Sequence, residues 1–132
     1  MLHSSAKPAP IEAKDDNHEK GLLTRSKIKL HFDDDKKILT LATPAGKMIV
    51  LDEDAGELRL EDENGNKIVM GADGISIESA KDILLKATGD IKAEGVNIEQ
   101  KSSAQFKLEG GAGIEVKSSA IATIKGSLVK IN

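Results

Sequence analysis

An all-β fold is predicted for this chain, in three parts. An extended N-terminal arm covers residues 1–21, and a β-strand meander covers 22–74. Residues 75–132 form an octad-repeat β-helix, intertwined with two further copies as a trimeric parallel triangular prism. Three observations predict this. Apolar and polar residues alternate from Lys27 onward. Turn chemistry interrupts the alternation at roughly ten-residue spacing. From Ile75 the cycle settles to eight residues, with almost no aromatic side chains.

The arm contains "KPAPIEAKDDNHEKG", a polar run with Pro8 and Pro10. It reads as an extended linker rather than part of a packed domain. A disordered tail and an arm packed along a neighbour both fit. The opening "MLHSSAKPAPIEAK" lacks an apolar h-region, so no signal peptide is expected. No apolar run approaches the ~18 residues of a membrane span.

The meander begins with "KIKLHF", which puts Ile28, Leu30 and Phe32 on one face and Lys27, Lys29 and His31 on the other. "ILTLAT", "KMIVLDE", "ELRLED", "KIVMG" and "ISIES" follow as short strands. Between them stand "DDDK", "PAG", "DAG", "ENGN" and "ADG". Asn64-Gly65 predicts a tight type I′ hairpin turn, which needs positive φ at both central residues.

Internal repetition outranks these local readings from Ile75 onward. Cut every eight residues, the chain gives "ISIESAKD" and "ILLKATGD", then a shorter "IKAEG". "VNIEQKSS", "AQFKLEGG", "AGIEVKSS" and "AIATIKGS" come next, and "LVKIN" closes. The third position of the last four octads holds Ile98, Phe106, Ile114 and Ala122. The fifth holds Gln100, Leu108, Val116 and Ile124. Each octad ends in small residues where the chain must bend. A helix over "SAKDILLKATGD" is disfavoured, because Gly recurs through the region and each costs ~1 kcal/mol in a helix interior.

Composition explains why one copy is not enough. The 132 residues include two Phe and no Tyr or Trp, so the large side chains that usually dominate cores are missing. A ribbon with one apolar face leaves that face bare and two edges unpaired. Three ribbons wound in parallel about one axis remove both defects, with contacts that close by cyclic symmetry. The expected trimer core is Ile75, Ile77, Ile83, Leu85, Ile91, Ile98, Phe106, Leu108, Ile114, Val116 and Ile124. Scarce aromatics suit an axis shared by three identical side chains. Ala122 falls where such a prism tapers.

Little chemistry is written in the chain. Net charge is −3 with both signs interspersed, which leaves no electrostatic footprint for nucleic acid. There is no cysteine. His3, His18 and His31 stand apart and read as surface residues. Asp33, Asp34 and Asp35 lack the Gly and terminal Glu of a calcium loop and read as a solvated turn. "GGAGIEVKS" approximates a calcium nonapeptide once, with Glu115 where Asp belongs and Lys117 at the large apolar position. Ser102, Ser103, Ser118 and Ser119 have no His or Cys partner after His31. No catalytic, cofactor or metal residue is therefore expected.

Over about residues 22–132 the sequence resembles a known family. The runs "NGNKIVMGADGISIESAKDILLKATGDI" and "SAQFKLEGGAGIEVKSSAIATIKGSLVKIN" look like the C-terminal β-helical spike of the VgrG and phage baseplate-spike family. The segment "MLHSSAKPAPIEAKDDNHEKGLLTRS" resembles the link between an OB-type domain and the needle. The resemblance implies a non-enzymatic, membrane-puncturing homotrimer at the tip of a contractile injection system, of type VI secretion or phage-tail-like kind. It implies a PAAR-repeat tip protein on Leu128, Val129, Lys130, Ile131 and Asn132. It also implies hub or OB-type base and tube proteins at the N-terminal side, and a target membrane met transiently. Assembly would take place on a cytoplasmic baseplate, before extracellular release or delivery into a target cell. Family members carry a hub and an OB-type domain that this sequence lacks, which fits either an excised fragment or a spike divided between polypeptides. The absence of a late His-x-His disfavours a self-made metal apex. Two other classes compete: a single-chain β-solenoid that binds or cleaves polysaccharide, and a passive trimeric stalk of a surface adhesin.

Overall fold

The computed structural model describes residues 16–132. His3 and most of the arm read over 1–21 lie outside the described residues. Seven β-strands form, with no helix among the described residues: β1 Glu19–Leu23, β2 Lys29–Asp33, β3 Ile38–Ala42, β4 Met48–Asp52, β5 Glu57–Glu61, β6 Lys67–Gly71 and β7 Gly74–Glu78. They make one antiparallel sheet in sequence order. The all-β expectation holds. β1 begins within the stretch read as an arm, and β7 takes up the first octad, carrying Ile75 and Ile77 into the sheet.

The meander is itself a repeat. β1, β3 and β5 start at Glu19, Ile38 and Glu57, a step of 19 residues each time. β2, β4 and β6 start at Lys29, Met48 and Lys67 with the same step. The turns repeat too. The Thr24, Thr43 and Asp62 amides donate to the carbonyls of Ile28, Lys47 and Asn66. Those three residues return their own amides to the side-chain oxygens of Thr24, Thr43 and Asp62, at 3.0, 3.2 and 3.0 Å. One residue before the close of each loop, Lys27, Gly46 and Gly65 have positive φ. At the opposite end of the sheet, Asp33 and Asp52 cap their turns by accepting from the Lys36 and Ala55 amides.

Two sequence readings are corrected here. Asn64-Gly65 is not a type I′ turn, because of the two only Gly65 has positive φ, at 83°. The loop is longer than two residues, since Asp62 draws in the amides of both Asn64 and Asn66. β2 starts at Lys29, because Lys27 sits at φ 64° and ends the preceding turn.

Register sorts the side chains into two faces. One row across the sheet reads Leu22, Leu30, Leu41, Ile49, Leu60, Ile68, Ile77. The parallel row on that face reads Lys20, Phe32, Leu39, Leu51, Leu58, Met70, Ile75. Of fourteen positions only Lys20 is polar. The other face is mixed. At its centre Val50, on the middle strand, is opposite Arg59 and 6 % exposed, the one buried apolar residue among those described.

Residues 80–132 form no strand within one copy, so the parallel β-helix of octads is not present in the single chain. Here the segments between bends do not pair with one another. The chain does bend regularly, at 80–81, 88–89, 96, 103–104, 111–112, 119–120 and 127. The chain divides into two compact units, one ending at Thr88 and the other spanning Gly89–Asn132.

Candidate functional site

The apolar face of the sheet is uncovered. Leu22, Phe32, Leu41, Ile49, Leu51, Leu60, Ile68, Met70, Ile75 and Ile77 are all exposed, up to 70 % at Ile75. Leu41, Ile49, Leu60 and Ile68 line an open trough with the loop residues Thr43, Lys47, Asp62 and Asn66. A contiguous apolar patch of this kind marks a surface meant to be covered.

The bending segments extend the pattern. Their second positions are Ile83, Ile91, Ile98, Phe106, Ile114, Ala122 and Val129, and their fourth are Leu85, Ala93, Gln100, Leu108, Val116, Ile124 and Ile131. The large residues of the first column are 50–61 % exposed and those of the second 63–88 %. The expected core residues from Ile83 to Ile124 all fall in these columns. One copy buries none of them. The expected tip residues Leu128, Val129, Lys130, Ile131 and Asn132 are exposed as well. What the sequence reading missed is the sheet's own uncovered apolar face, from Leu22 to Met70.

The bends explain the small residues. The last position of each segment holds Ala87, Gly95, Ser102, Gly110, Ser118 and Gly126. A Cβ on Gly110 would sit 2.2 Å from the Gly113 carbonyl oxygen, so only glycine fits that corner. Ser102 and Ser118 hold the same position at corners that admit a side chain. The Ser102 hydroxyl donates to the Gln105 carbonyl at 2.7 Å, and Ser118 Oγ accepts the Ala120 amide at 3.2 Å.

A joint links sheet and segments. Asn66, closing the β5–β6 loop, accepts the Ser79 hydroxyl at 2.6 Å, and Ser79 Oγ accepts the Lys81 amide at 3.1 Å. Asp62 anchors the same loop. Hydrogen bonds from the Asn66 side chain and amide, then from Asn64, hold its carboxyl down to about 2. Lys47, donating to Glu63 at 2.6 Å, lowers that carboxyl also.

Several other polar residues have structural partners. Asp33 caps a turn, and Asp34 pairs with Lys20, which lowers the Asp34 pKa. His31 Nε2 lies 3.9 Å from Glu19 on the mixed face. Glu115 and Lys117 pair with each other. Arg59 stands 3.9 Å from both Glu57 and Glu61. Among the described residues no three His, Cys, Asp or Glu gather into a metal-binding group. What the arrangement can do is associate through its apolar surface.

Residues 37–100 match the family model of the phage baseplate V C-terminal trimerisation domain. The match runs from the end of the β2–β3 turn through β7 and across the first bends. It supports a phage baseplate- or spike-type protein, a structural rather than enzymatic role, and a homotrimer. No curated protein matches the chain.

Proposed function

We propose that this chain is the needle of a contractile injection system, a VgrG-like spike of a type VI secretion apparatus or phage-tail-like particle. The observation that carries the reading is the pair of columns, apolar at every position but Gln100 and uncovered in one copy. Three copies wound about one axis bring Ile83, Leu85, Ile91, Ile98, Phe106, Leu108, Ile114, Val116 and Ile124 onto that axis. Ile75 and Ile77 join them from the edge of the sheet. Backbone groups that have no ladder within the chain then pair between copies, forming an intertwined parallel β-helix. Burial is worth about 1.5–3 kcal/mol for each fully covered Val, Ile, Leu or Phe, so the columns dominate the assembly energy.

In this reading residues 1–21 link to hub, OB-type and tube proteins, 22–74 form the base of the needle and 75–132 form the shaft, with the sheet overlapping both boundaries through β1 and β7. The last segment, Leu128 to Asn132, forms the end that receives a PAAR-repeat tip protein. The needle assembles on a cytoplasmic baseplate, is driven out or delivered, and meets the target membrane in passing. Stiffness is the function in this reading, supplied by the ladder between copies and the repeated apolar columns. A single-chain solenoid acting on polysaccharide would need ladders between coils of the same chain, and residues 80–132 make none among those described.

Electron microscopy of the purified full chain tests the reading. A slender rod with threefold averages is expected, and a compact particle would contradict it. Capture by a PAAR-repeat protein, lost on removing residues 128–132, tests the tip. Equal capture by the shortened chain would remove that assignment.

A further inference from the structure

The bending segments carry a second pattern, one that apolar burial does not require. In an extended segment the third and fifth positions point away from the second and fourth. From the second segment on, the third positions read Lys92, Glu99, Lys107, Glu115. The fifth positions, from the first segment, read Lys86, Glu94, Lys101, Glu109, Lys117. In both columns the sign reverses at every step of seven or eight residues. The first like-signed step is Lys117 to Lys125, next to the proposed tip. In one copy these charges have only their own segment to pair with. Lys107 Nζ lies 2.7 Å from Glu109, and Lys117 pairs with Glu115, all well exposed. A surface that needed only solvation would not require the signs to alternate from segment to segment.

We infer that this alternating ladder sets the register between copies of the chain, with each Lys facing the Glu of the following segment in a neighbouring copy. The inference rests on the trimeric reading above. Around a three-sided prism all three copies change side at the same bend. The side one copy leaves is entered by another copy carrying its next segment. Every segment therefore stacks on the next segment of a different copy. Lys107 of one copy then lies between Glu115 of a second and Glu99 of the third. Opposite charges on adjacent strands attract and like charges repel. If equal segments stacked instead, every Lys would face Lys and every Glu would face Glu. The apolar columns cannot make this choice, since Ile, Leu, Val and Phe at successive steps accept either register.

The chain has no cysteine, so introduced thiols report cleanly. Adjacent strands lie about 4.7–4.9 Å apart, within the Cα range a disulfide spans. Oxidation of the full-length double variant Lys107→Cys/Glu115→Cys should give a covalent trimer on a non-reducing gel. Each single variant should stay unlinked. Self-linking of Lys107→Cys alone, with no trimer from the double variant, would overturn the register if sedimentation still gives a trimer. A monomer by sedimentation would overturn the trimeric reading and the register with it. A second variant, Lys107→Glu/Glu109→Lys, meets like charges on both sides. Its assembly should melt at lower temperature than the parent in low salt, with the gap closing as salt rises. An unchanged melting temperature at low salt would overturn the role of the ladder.

Discussion

Residues 19–78 and 80–132 share one alternation of apolar and polar side chains, and only the first stretch pairs with itself. The difference lies in the turns. In the sheet, Thr24, Thr43 and Asp62 each hold a five-residue loop closed through amide and side chain, and a positive φ one residue before its end reverses the chain. In the later segments the corners are small residues such as Gly110 and Ser118, which redirect the chain without sending it back. A reversing turn makes a strand its own neighbour. A mere bend leaves backbone and apolar face waiting for another copy. Both stretches nevertheless end with an uncovered apolar surface, and the match over residues 37–100 spans the change from one to the other.

The largest test of this contrast puts a charge on the shared axis. Ile114→Asp brings three carboxylates together, and an unpaired buried ion costs several kcal/mol. Sedimentation should show loss of the trimer, while the β-sheet circular dichroism of residues 19–78 persists. Next is the sheet's own core. Val50→Ala removes two methyl groups beneath the mixed face and should cost about 1–3 kcal/mol, read as an earlier denaturant midpoint. The trimer should survive it. Smaller is Gly65→Ala. At φ 83° a side chain is strained, and its Cβ would come 3.3 Å from that of Ala80. A loss of about 1–2 kcal/mol is expected in thermal melts.

The smallest effect is one of pH. Asp62 is lowered from 3.8 to about 2, so the native state binds the proton more weakly than the unfolded chain. Its stabilising contribution is complete above pH 4 and is lost as pH falls through about 2. Melting temperatures measured between pH 5 and pH 2 should fall less steeply in Asp62→Asn than in the parent.

The alternation gives the strands and their faces directly from the sequence, and the small pairs mark the corners. The 19-residue hairpin repeat is harder to see. Its turns share a geometry written in different residues, Thr or Asp at the first position and Lys or Gly at the positive φ. Asn64-Gly65 misleads for a related reason. A dipeptide signal cannot register that Asp62 captures two amides and lengthens the loop. "IKAEG" reads as an interruption, yet the bends continue through it, because the step from Ile91 to Ile98 is seven residues instead of eight. The two apolar rows of the sheet emerge only with register, since alternation assigns a face and says nothing about which strand lies alongside.

The central claim is that residues 80–132 gain their structure from other copies. Sedimentation equilibrium of the full chain at micromolar concentration tests it most directly. With a protomer of 14.0 kDa, the account predicts one species of three times that mass. A stable, monodisperse 14.0 kDa monomer with its apolar columns open to water would contradict it.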